Sequence, residues 1–324
     1  MEYCIYPGGI VKYQKKMPAS ICALVEYLNQ LAKEFNEVSI SYKEWSIPKK
    51  TGGLRHLSSP EPPTKHAQQT LLNAIKGANL PTQACAYAYV PNRSIVDATR
   101  KHKNSNWFLK IDLKNFFPNC TPQFIEEELS HITPFNHLPL ETKRAITRLI
   151  TYKGGLPQGA PTSPVFSNLV MTRFDYKLQS YTYSHNLIYT RYADDLLISS
   201  VEPFNKDKVV NVISAILEDI NAPFHVNHKK TRYGNCKGRN WNLGLMINKD
   251  HDVTIGYRKK QQLKPMIHNA VTKGCSPSEA HRILGIISYY KMVEPVYMAR
   301  RLNSLSKKYN LSIVKYLKDI IQQP

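Results

Sequence analysis

Two adjacent aspartates, set between apolar segments, constrain this chain more than any other feature of its sequence. The pair Asp194-Asp195 follows Ile188-Tyr189-Thr190-Arg191-Tyr192-Ala193 and precedes Leu196-Leu197-Ile198. β-Branched and aromatic residues on both sides of a short polar centre predict a β-hairpin. Neighbouring like charges destabilise a fold unless a cation neutralises them, and Mg²⁺ binds carboxylate oxygens while leaving coordination positions for phosphates. The pattern therefore predicts a metal-binding hairpin, with an exposed turn as the simpler alternative.

Two segments upstream of the hairpin carry related chemistry. Alternating apolar residues from Trp107 predict a strand that ends at Asp112. The segment Gly154-Gly155-Leu156-Pro157-Gln158-Gly159-Ala160-Pro161 predicts a loop whose glycines let the backbone approach a ligand closely. If both strands belong to one sheet, Asp112 lies opposite Asp194 and three carboxylates gather at one end of that sheet.

These motifs, in this order, resemble the catalytic boxes of reverse transcriptases. Ile111-Asp112-Leu113-Lys114-Asn115-Phe116-Phe117 resembles the first metal-binding strand of the bacterial, retron-type branch. Leu156-Pro157-Gln158-Gly159 resembles the Leu-Pro-Gln-Gly box, and Tyr192-Ala193-Asp194-Asp195 resembles the catalytic box. The resemblance extends from about Trp45 to about Tyr290. It implies an α+β right-hand polymerase fold with fingers, an antiparallel-sheet palm and a helical thumb, and RNA-directed DNA polymerase activity.

The resemblance also divides the chain into three parts. Residues 1–106 are expected to form an N-terminal helix and the fingers, residues 107–255 the palm with fingers-associated helices at about 121–160, and residues 256–324 a basic helical thumb. Apolar residues at helical spacing predict helices over 18–35, 65–78, 138–152, 163–181 and 206–220, and thumb helices over 261–271, 277–291, 295–305 and 311–321.

The catalytic residues implied by the resemblance are the three aspartates. Asp112, Asp194 and Asp195, with Leu113 as a further ligand, are expected to hold two Mg²⁺ ions, and Mn²⁺ is an alternative ion. One ion would activate the primer 3′-hydroxyl, and the other would stabilise the triphosphate and the leaving group. Positioning and charge stabilisation would supply most of the catalysis.

Five further residues are expected at the incoming nucleotide: Lys49, Arg55, Phe117, Gln158 and Lys230. By resemblance, Lys49 and Arg55 flank the Gly-Gly turn of a fingers hairpin that closes over the triphosphate. Phe117 would lie under the sugar and exclude a 2′-hydroxyl, while its neighbour Phe116 belongs to the core. Gln158 would contact the nucleotide, and Lys230 would neutralise or protonate departing pyrophosphate. For the three cations, an ordinary basic loop is an equal alternative.

The charge of the chain indicates an anionic partner. Lys and Arg number 44 against 24 Asp and Glu, a formal net charge of +20, and residues 258–324 hold 13 Lys and Arg against 3 Asp and Glu, a surplus of 10. A thumb that grips a phosphodiester backbone would account for this surplus. The residues expected to contact nucleic acid are Tyr192, Leu243, Gly244, Lys259, Lys260, Arg300, Arg301, Lys307 and Lys308.

Composition excludes several other classes. No apolar run approaches the ~20 residues of a membrane helix, and the first residues lack the charged and apolar regions of a signal peptide, so a cytoplasmic protein without a membrane partner is expected. The six cysteines are scattered without a Cys-x-x-Cys pair, which argues against a zinc site or a disulfide framework.

The partners implied by the resemblance are nucleic acids. A structured non-coding RNA would serve as template, and whether it also serves as primer is left open. An RNA–DNA duplex and dNTPs would bind as well. An effector protein or a second copy of the chain is a further expected partner, and the resemblance implies a role in antiphage defence. Of the retron segment Asn-Ala-x-x-His only His102 is present, and no Val-Thr-Gly occurs near Leu243. These differences favour a non-retron, defence-associated enzyme. A retron enzyme that makes RNA-linked DNA, an untemplated polymerase and a non-catalytic RNA-binding scaffold remain as alternatives.

Overall fold

The computed structural model describes residues 3–6, 9–12, 19–49, 52–78, 80, 82–235, 244–248 and 250–322 of the chain. The strands are β1 Tyr3–Tyr6, β2 Gly9–Lys12, β3 Tyr42–Pro48, β4 Leu54–Pro60, β5 Trp107–Asp112, β6 Ile188–Tyr192, β7 Asp195–Ser200, β8 Arg232–Asn235, β9 Met246–Ile247 and β10 Val253–Thr254. The helices are α1 Ala19–Glu37, α2 Pro62–Lys76, α3 Ile95–Lys101, α4 Phe116–Asn119, α5 Pro122–Leu129, α6 Leu140–Ile150, α7 Ser163–Leu169, α8 Thr172–Ser184, α9 Lys206–Asp219, α10 Tyr257–Lys273, α11 Pro277–Val293, α12 Pro295–Tyr309 and α13 Ile313–Gln322. A 3-10 turn, Phe135–His137, lies between α5 and α6.

A four-stranded antiparallel sheet forms the palm, with strand order β6-β7-β5-β8. The predicted strand from Trp107 to Asp112 is β5, which lies inside the sheet because β7 pairs with one side of it and β8 with the other. Its apolar side chains pack on both faces of the sheet: Leu109 and Ile111 belong to the main core, and Phe108 contacts a smaller cluster with Leu197. The expected antiparallel palm is confirmed.

Fingers and palm share one hydrophobic core. The main cluster combines side chains from α1, α2, α5 and α6 with the inner face of the sheet and with α8 and α9. The fingers hairpin, β3 with β4, projects from this body, and Trp45 and Ile47 on β3 are exposed. Since the two parts pack as one unit, a boundary near residue 106 does not separate two cores.

The thumb has a hydrophobic core of its own. Four helices, α10 to α13, supply most of it, and Val96, Leu245, Val253 and Ile255 from the preceding segments complete it. A capping box in which Ser276 and Glu279 bond each other's backbone N–H begins α11. The four thumb helices predicted from periodicity are present, each with slightly different ends.

One predicted helix differs in form. The apolar stripe over 163–181 predicts a single helix, but the chain forms α7 and α8 with a break at Val170 and Met171. At the break the backbone N–H of Met171 bonds the carbonyl of Asn168, three residues back, so the α-helical ladder is interrupted. Among the described residues, no helix has both the length and the apolar character needed to cross a membrane.

Candidate active site

Three carboxylates meet at one end of the palm sheet because of strand register. Asp112, the last residue of β5, is the direct partner of Asp195, the first residue of β7. Asp194 lies in the two-residue turn between β6 and β7, and its carbonyl accepts a bond of 3.1 Å from the backbone N–H of Leu113. The sequence predicted Asp194 as the residue opposite Asp112, but the register pairs Asp112 with Asp195 and leaves Asp194 beside them in the turn.

Cations neutralise two of these three carboxylates. Lys110 Nζ lies 2.8 Å from Asp195 Oδ2, and Lys230 Nζ lies 3.1 Å from Asp112 Oδ2. Asn227 donates from Nδ2 to the other oxygen of Asp112 at 2.9 Å. Sequence reasoning placed Lys230 at pyrophosphate and overlooked Lys110 and Asn227. The two-residue spacing between Lys110 and Asp112 on one strand was the signal that could have found Lys110.

Among the residues that the structure describes, no Lys or Arg forms an ion pair with Asp194, and the environment of its carboxyl disfavours the ionised form. Burial raises the pKa of the Asp194 carboxyl to about 6, and the negative charges of Asp195 and Asp112 act in the same direction, while Lys230 opposes them. A cluster with uncompensated negative charge and carboxylate oxygens has the donor chemistry of a Mg²⁺ site. As placed, no three Asp, Glu, His or Cys side chains in the described ranges converge on one ion position. The three aspartates nevertheless fit a divalent cation, because their charge and their oxygen ligands are those that Mg²⁺ prefers.

A buried ion pair between Arg191 and Asp175 supports the aspartate turn. Arg191, 1% exposed, makes bidentate bonds to Asp175 on α8, and the Tyr189 hydroxyl donates to the same carboxylate. A further guanidinium nitrogen donates to the carbonyl of Ala193, the turn residue with a φ of 57°. The turn is therefore held in place by a charged group with no access to solvent. Sequence reasoning assigned no role to Arg191 or Asp175.

Two of the three glycines in the loop at 154–161 lie close to other backbone of the protein. A Cβ on Gly155 would lie 2.2 Å from the carbonyl oxygen of Pro118, and one on Gly159, whose φ is 131°, would lie 2.9 Å from that of Ser58. The loop is bonded on both sides, since Leu156 N–H donates to Phe117 O and Ser58 N–H donates to Gln158 O. Close backbone approach was predicted toward a ligand, but the close neighbours here are the Phe117 segment and the fingers hairpin.

The aromatic pair after β5 divides as the sequence predicts. Phe116 is buried and packs on Phe224 with ring centroids 5.2 Å apart. Phe117 is only partly buried, and its ring meets the edge of Tyr89 at 6.4 Å. Its role at the sugar stays a prediction.

The other residues expected at the nucleotide lie on the fingers and the loop. Lys49 and Arg55 are exposed at the end of the hairpin. Gln158 lines a cavity of about 440 Å³ together with Trp45, His56 and Tyr152. The cavity therefore lies where the hairpin faces the loop, and nucleotide contact by these three residues stays a prediction.

The basic residues of the thumb fall into two groups. Lys259 donates from Nζ to the carbonyl of Gly244 at 2.9 Å, and Lys260 pairs with Glu294 and lies over the ring of Tyr297. These two cations therefore have partners within the protein at the junction of palm and thumb. Arg300, Lys307 and Lys308 are exposed on α12, and Arg301 is half-buried.

Tyr192 and Leu243 are also among the residues expected to contact nucleic acid. Tyr192 is the last residue of β6 and pairs with Asp195, and its side chain is half-buried. Leu243 lies outside the described residues.

His102, the one residue retained from the retron segment, is buried beneath the palm. Its ring nitrogens lie 2.6 Å from Ser199 Oγ and 2.8 Å from Thr190 Oγ1. Burial lowers the pKa of His102 to about 3, so the imidazole is neutral and bridges two hydroxyl groups on β6 and β7. A histidine at position 102 is therefore accounted for by its buried hydrogen bonds within the protein.

Comparisons with known proteins identify the family of this chain. The family model described as reverse transcriptase (RNA-dependent DNA polymerase) matches residues 47–286. The retron Ec83 reverse transcriptase of Escherichia coli is 28% identical over 86% of this chain and 89% of its own length. The retron Ec73 and Ec86 enzymes of the same species are 29% and 30% identical, over 82% of this chain in each case and 86% and 81% of their own lengths.

A solved structure of telomerase from Candida albicans is also similar, with 12% identity and a TM-score of 0.49. That match covers 95% of this chain and 63% of the telomerase chain, so this chain spans less than two thirds of that protein. The family model covers the aspartate hairpin, the strand that ends at Asp112 and the Leu-Pro-Gln-Gly loop. The expected activity is thus that of the matched family, and the chain belongs to the reverse transcriptase (RNA-dependent DNA polymerase) family, in its bacterial retron-type branch.

Proposed function

We propose that this enzyme copies a structured RNA into DNA, in the cytoplasm, with Asp112, Asp194 and Asp195 as its catalytic residues. The observation that supports this most is the register that pairs Asp112 with Asp195 and puts Asp194 in the adjoining turn. These three side chains, with Leu113 beside them, would hold Mg²⁺ or Mn²⁺. When bound, such ions would lower the pKa of the attacking 3′-hydroxyl and stabilise the negative charge of the leaving pyrophosphate.

The surrounding residues would position the substrates. Lys110 and Lys230 hold two carboxylates in place in the present structure and would be displaced or would turn toward phosphate groups when substrate binds. The Arg191–Asp175 pair keeps the turn rigid, which matters because small displacements of reacting groups reduce the rate strongly. Phe117 would exclude a 2′-hydroxyl, and Lys49, Arg55 and Gln158 would contact the nucleotide from the fingers side.

The similar proteins favour a retron enzyme over a non-retron, defence-associated one. Three retron reverse transcriptases match more than 80% of this chain and of their own lengths. The contrary observation is the absence of Asn-Ala before His102 and of Val-Thr-Gly. Because His102 is a buried packing residue, its presence does not discriminate between the subclasses. We therefore propose a retron-like enzyme whose structured RNA serves as template and as primer, and whose DNA product takes part in antiphage defence.

The test is to purify the protein from cells that carry its genomic neighbourhood and to sequence the bound nucleic acid, with and without ribonuclease treatment. A retron enzyme predicts one defined DNA joined to one defined RNA. A defined DNA without an RNA joint supports the non-retron defence enzyme, and DNA of no fixed sequence supports untemplated synthesis. Bound RNA with no DNA, together with no dNTP incorporation, would support the RNA-binding scaffold and refute the proposal.

The defence role has a separate test. Phage plating efficiency is compared in cells with the wild-type protein and with the Asp194→Asn variant. Protection that requires Asp194 supports a role for DNA synthesis in defence. Equal plating in both strains contradicts it, while leaving the polymerase activity to the nucleic-acid test.

A further inference from the structure

Tyr89 has a backbone conformation that a bulky residue rarely adopts. Its φ is 60°, in the left-handed region, and its side chain is 47% exposed. An aromatic residue in this region is a conformational outlier, and such strain persists only where the surrounding structure imposes it. The backbone of Tyr89 is therefore held in this conformation by its neighbours in the fold.

The loop around Tyr89 is bonded to the same scaffold as the catalytic turn. Asn168 on α7 donates to the carbonyl of Ala88 at 2.7 Å and accepts from Arg191 at 3.1 Å. Arg191 in turn donates to the carbonyl of Ala193, beside Asp194. One continuous hydrogen-bond chain therefore fixes the backbone before Tyr89 relative to the aspartate turn.

On the other side of the loop, Arg93 closes the segment. Its guanidinium donates at 2.7 Å to the carbonyls of both Gln83 and Ala86. Tyr89 is thus held between two sets of bonds, one on each side in the sequence. The backbone position of Tyr89 is therefore set by the bonds of its neighbours in the loop.

The ring of Tyr89 lies against the residue expected to test the sugar. Phe117 meets Tyr89 edge-on, with centroids 6.4 Å apart and an interplanar angle of 66°, and it also meets Phe116 edge-on at 5.4 Å and 73°. Since Phe116 is part of the buried core, the ring of Phe117 contacts both a fixed core ring and Tyr89. Edge-to-face pairs of this kind fix ring orientation as well as adding stability.

Charged groups of both the palm and the fingers hairpin act on Tyr89. Burial raises the pKa of Tyr89, the negative charge of Asp194 raises it further, and Arg55 on the fingers hairpin lowers it. Tyr89 is therefore near both the palm carboxylates and the fingers cation, on the surface that an incoming nucleotide would face.

We propose that Tyr89 is a positioning residue for sugar discrimination, whose ring keeps Phe117 in the orientation that excludes a 2′-hydroxyl. This inference rests on the proposed function, because it requires that Phe117 lies under the sugar of the incoming nucleotide. Tyr89 acts through Phe117 and needs no contact with the substrate. Without the ring, Phe117 gains freedom to turn away, and ribonucleotides gain access.

The experiment measures kcat/KM for a matched rNTP and dNTP on one primed RNA template, in wild type and in Tyr89→Ala, Tyr89→Phe and Phe117→Val variants. Tyr89→Ala is expected to raise the rNTP-to-dNTP ratio roughly two- to tenfold, the range that the loss of one edge-to-face aromatic pair allows. Tyr89→Phe keeps the ring and is expected to keep the wild-type ratio. Adding Tyr89→Ala to Phe117→Val is expected to change the ratio no further, since the second residue acts through the first.

A merely structural role would lower both kcat/KM values and leave their ratio unchanged in Tyr89→Ala, and that result would overturn the inference. Equal relaxation in Tyr89→Phe would also overturn it, because it would assign the effect to the hydroxyl. A surface control is Tyr183→Ala on α8, whose side chain is 85% exposed. Failure of the proposed function is distinguishable, since wild type would then incorporate no dNTP. An active Phe117→Val variant with an unchanged rNTP-to-dNTP ratio would show that Phe117 does not exclude the 2′-hydroxyl, and it would thereby refute the role of Tyr89.

Discussion

Lys110 and Asp195 form an ion pair between neighbouring strands at the end of the sheet that carries the three aspartates, with Nζ 2.8 Å from Oδ2. Both side chains are about one-sixth exposed, at 16% and 17%. A cation at this depth compensates a carboxylate that faces two others. If the aspartates bind divalent ions as proposed, this pair is expected to link the stability of the metal-free protein to its affinity for those ions.

Replacing Lys110 with Met should destabilise the metal-free protein by about 1–3 kcal/mol, because a partly buried carboxylate loses its partner. Added Mg²⁺ should then raise the Tm of Lys110→Met more than that of wild type, since the ion replaces the lost positive charge. Thermal unfolding with and without Mg²⁺ measures both effects. Lys110→Arg keeps the charge and should resemble wild type, and Lys153→Met, which breaks an exposed pair with Glu44, should have almost no effect. An equal Mg²⁺ response in wild type and Lys110→Met would contradict the assignment.

Asp194→Asn should abolish DNA synthesis while the fold remains intact. The substitution keeps the shape of the side chain and removes a charge required only for the metal and the reaction. Extension of a primed RNA template, with circular dichroism and thermal unfolding as checks of folding, tests this, and Asp112→Asn should behave alike. Extension by a folded Asp194→Asn variant at a rate near wild type would show that the catalytic residues lie elsewhere.

The raised pKa of Asp194 predicts a pH-dependent stability. Burial and the neighbouring carboxylates raise this pKa from 3.8 to about 6, so the folded state binds the proton more tightly than the unfolded state. The stability that this proton adds to the folded state is fully present below pH 3.8 and is lost as the pH rises through about 6. Relative to Asp194→Asn, metal-free wild type should therefore lose about 2 kcal/mol of unfolding free energy between pH 4 and pH 7.

Urea unfolding of both proteins at several pH values, in the presence of a chelator, measures this difference. Mg²⁺ at pH 7 should reduce it, because a bound cation compensates the ionised carboxylate. Parallel stability curves for the two proteins across this pH range would mean that Asp194 ionises normally in the folded state.

The two groups of thumb cations should respond differently to salt. Arg300→Ala/Arg301→Ala should weaken binding to the cognate RNA or to a primer–template duplex and reduce the slope of log affinity against log salt by about one for each phosphate contact removed. Lys260→Met should lower thermal stability and leave that slope nearly unchanged, because Lys260 already pairs with Glu294 and Tyr297. Filter binding across a salt series, beside KM for dNTP at saturating template, separates the two. A raised dNTP KM with an unchanged slope in the double variant would place these arginines at the active site.

Local sequence determined the elements that carry the catalytic groups. The strand from Trp107 to Asp112, the hairpin around Asp194 and the four thumb helices all follow from side-chain alternation or helical spacing, which depends only on near neighbours. The distinction between Phe116 as core and Phe117 as a site residue came from the family resemblance, and the two side chains do differ in exposure. Helix ends and the break between α7 and α8 were not predicted, because backbone bonding at helix termini depends on neighbours outside the helix.

Tertiary structure decided which distant groups meet. Periodicity indicates that Arg191 lies within a strand, but only packing shows that Asp175 from α8 neutralises it and that its guanidinium holds the aspartate turn. The same holds for Lys110 with Asp195, since strand register, set by the packing of the whole sheet, chooses the pairing. The charge of Lys260 is visible in the sequence, but its use inside the protein is not, because a side chain's free energy depends on the partners that the fold brings to it.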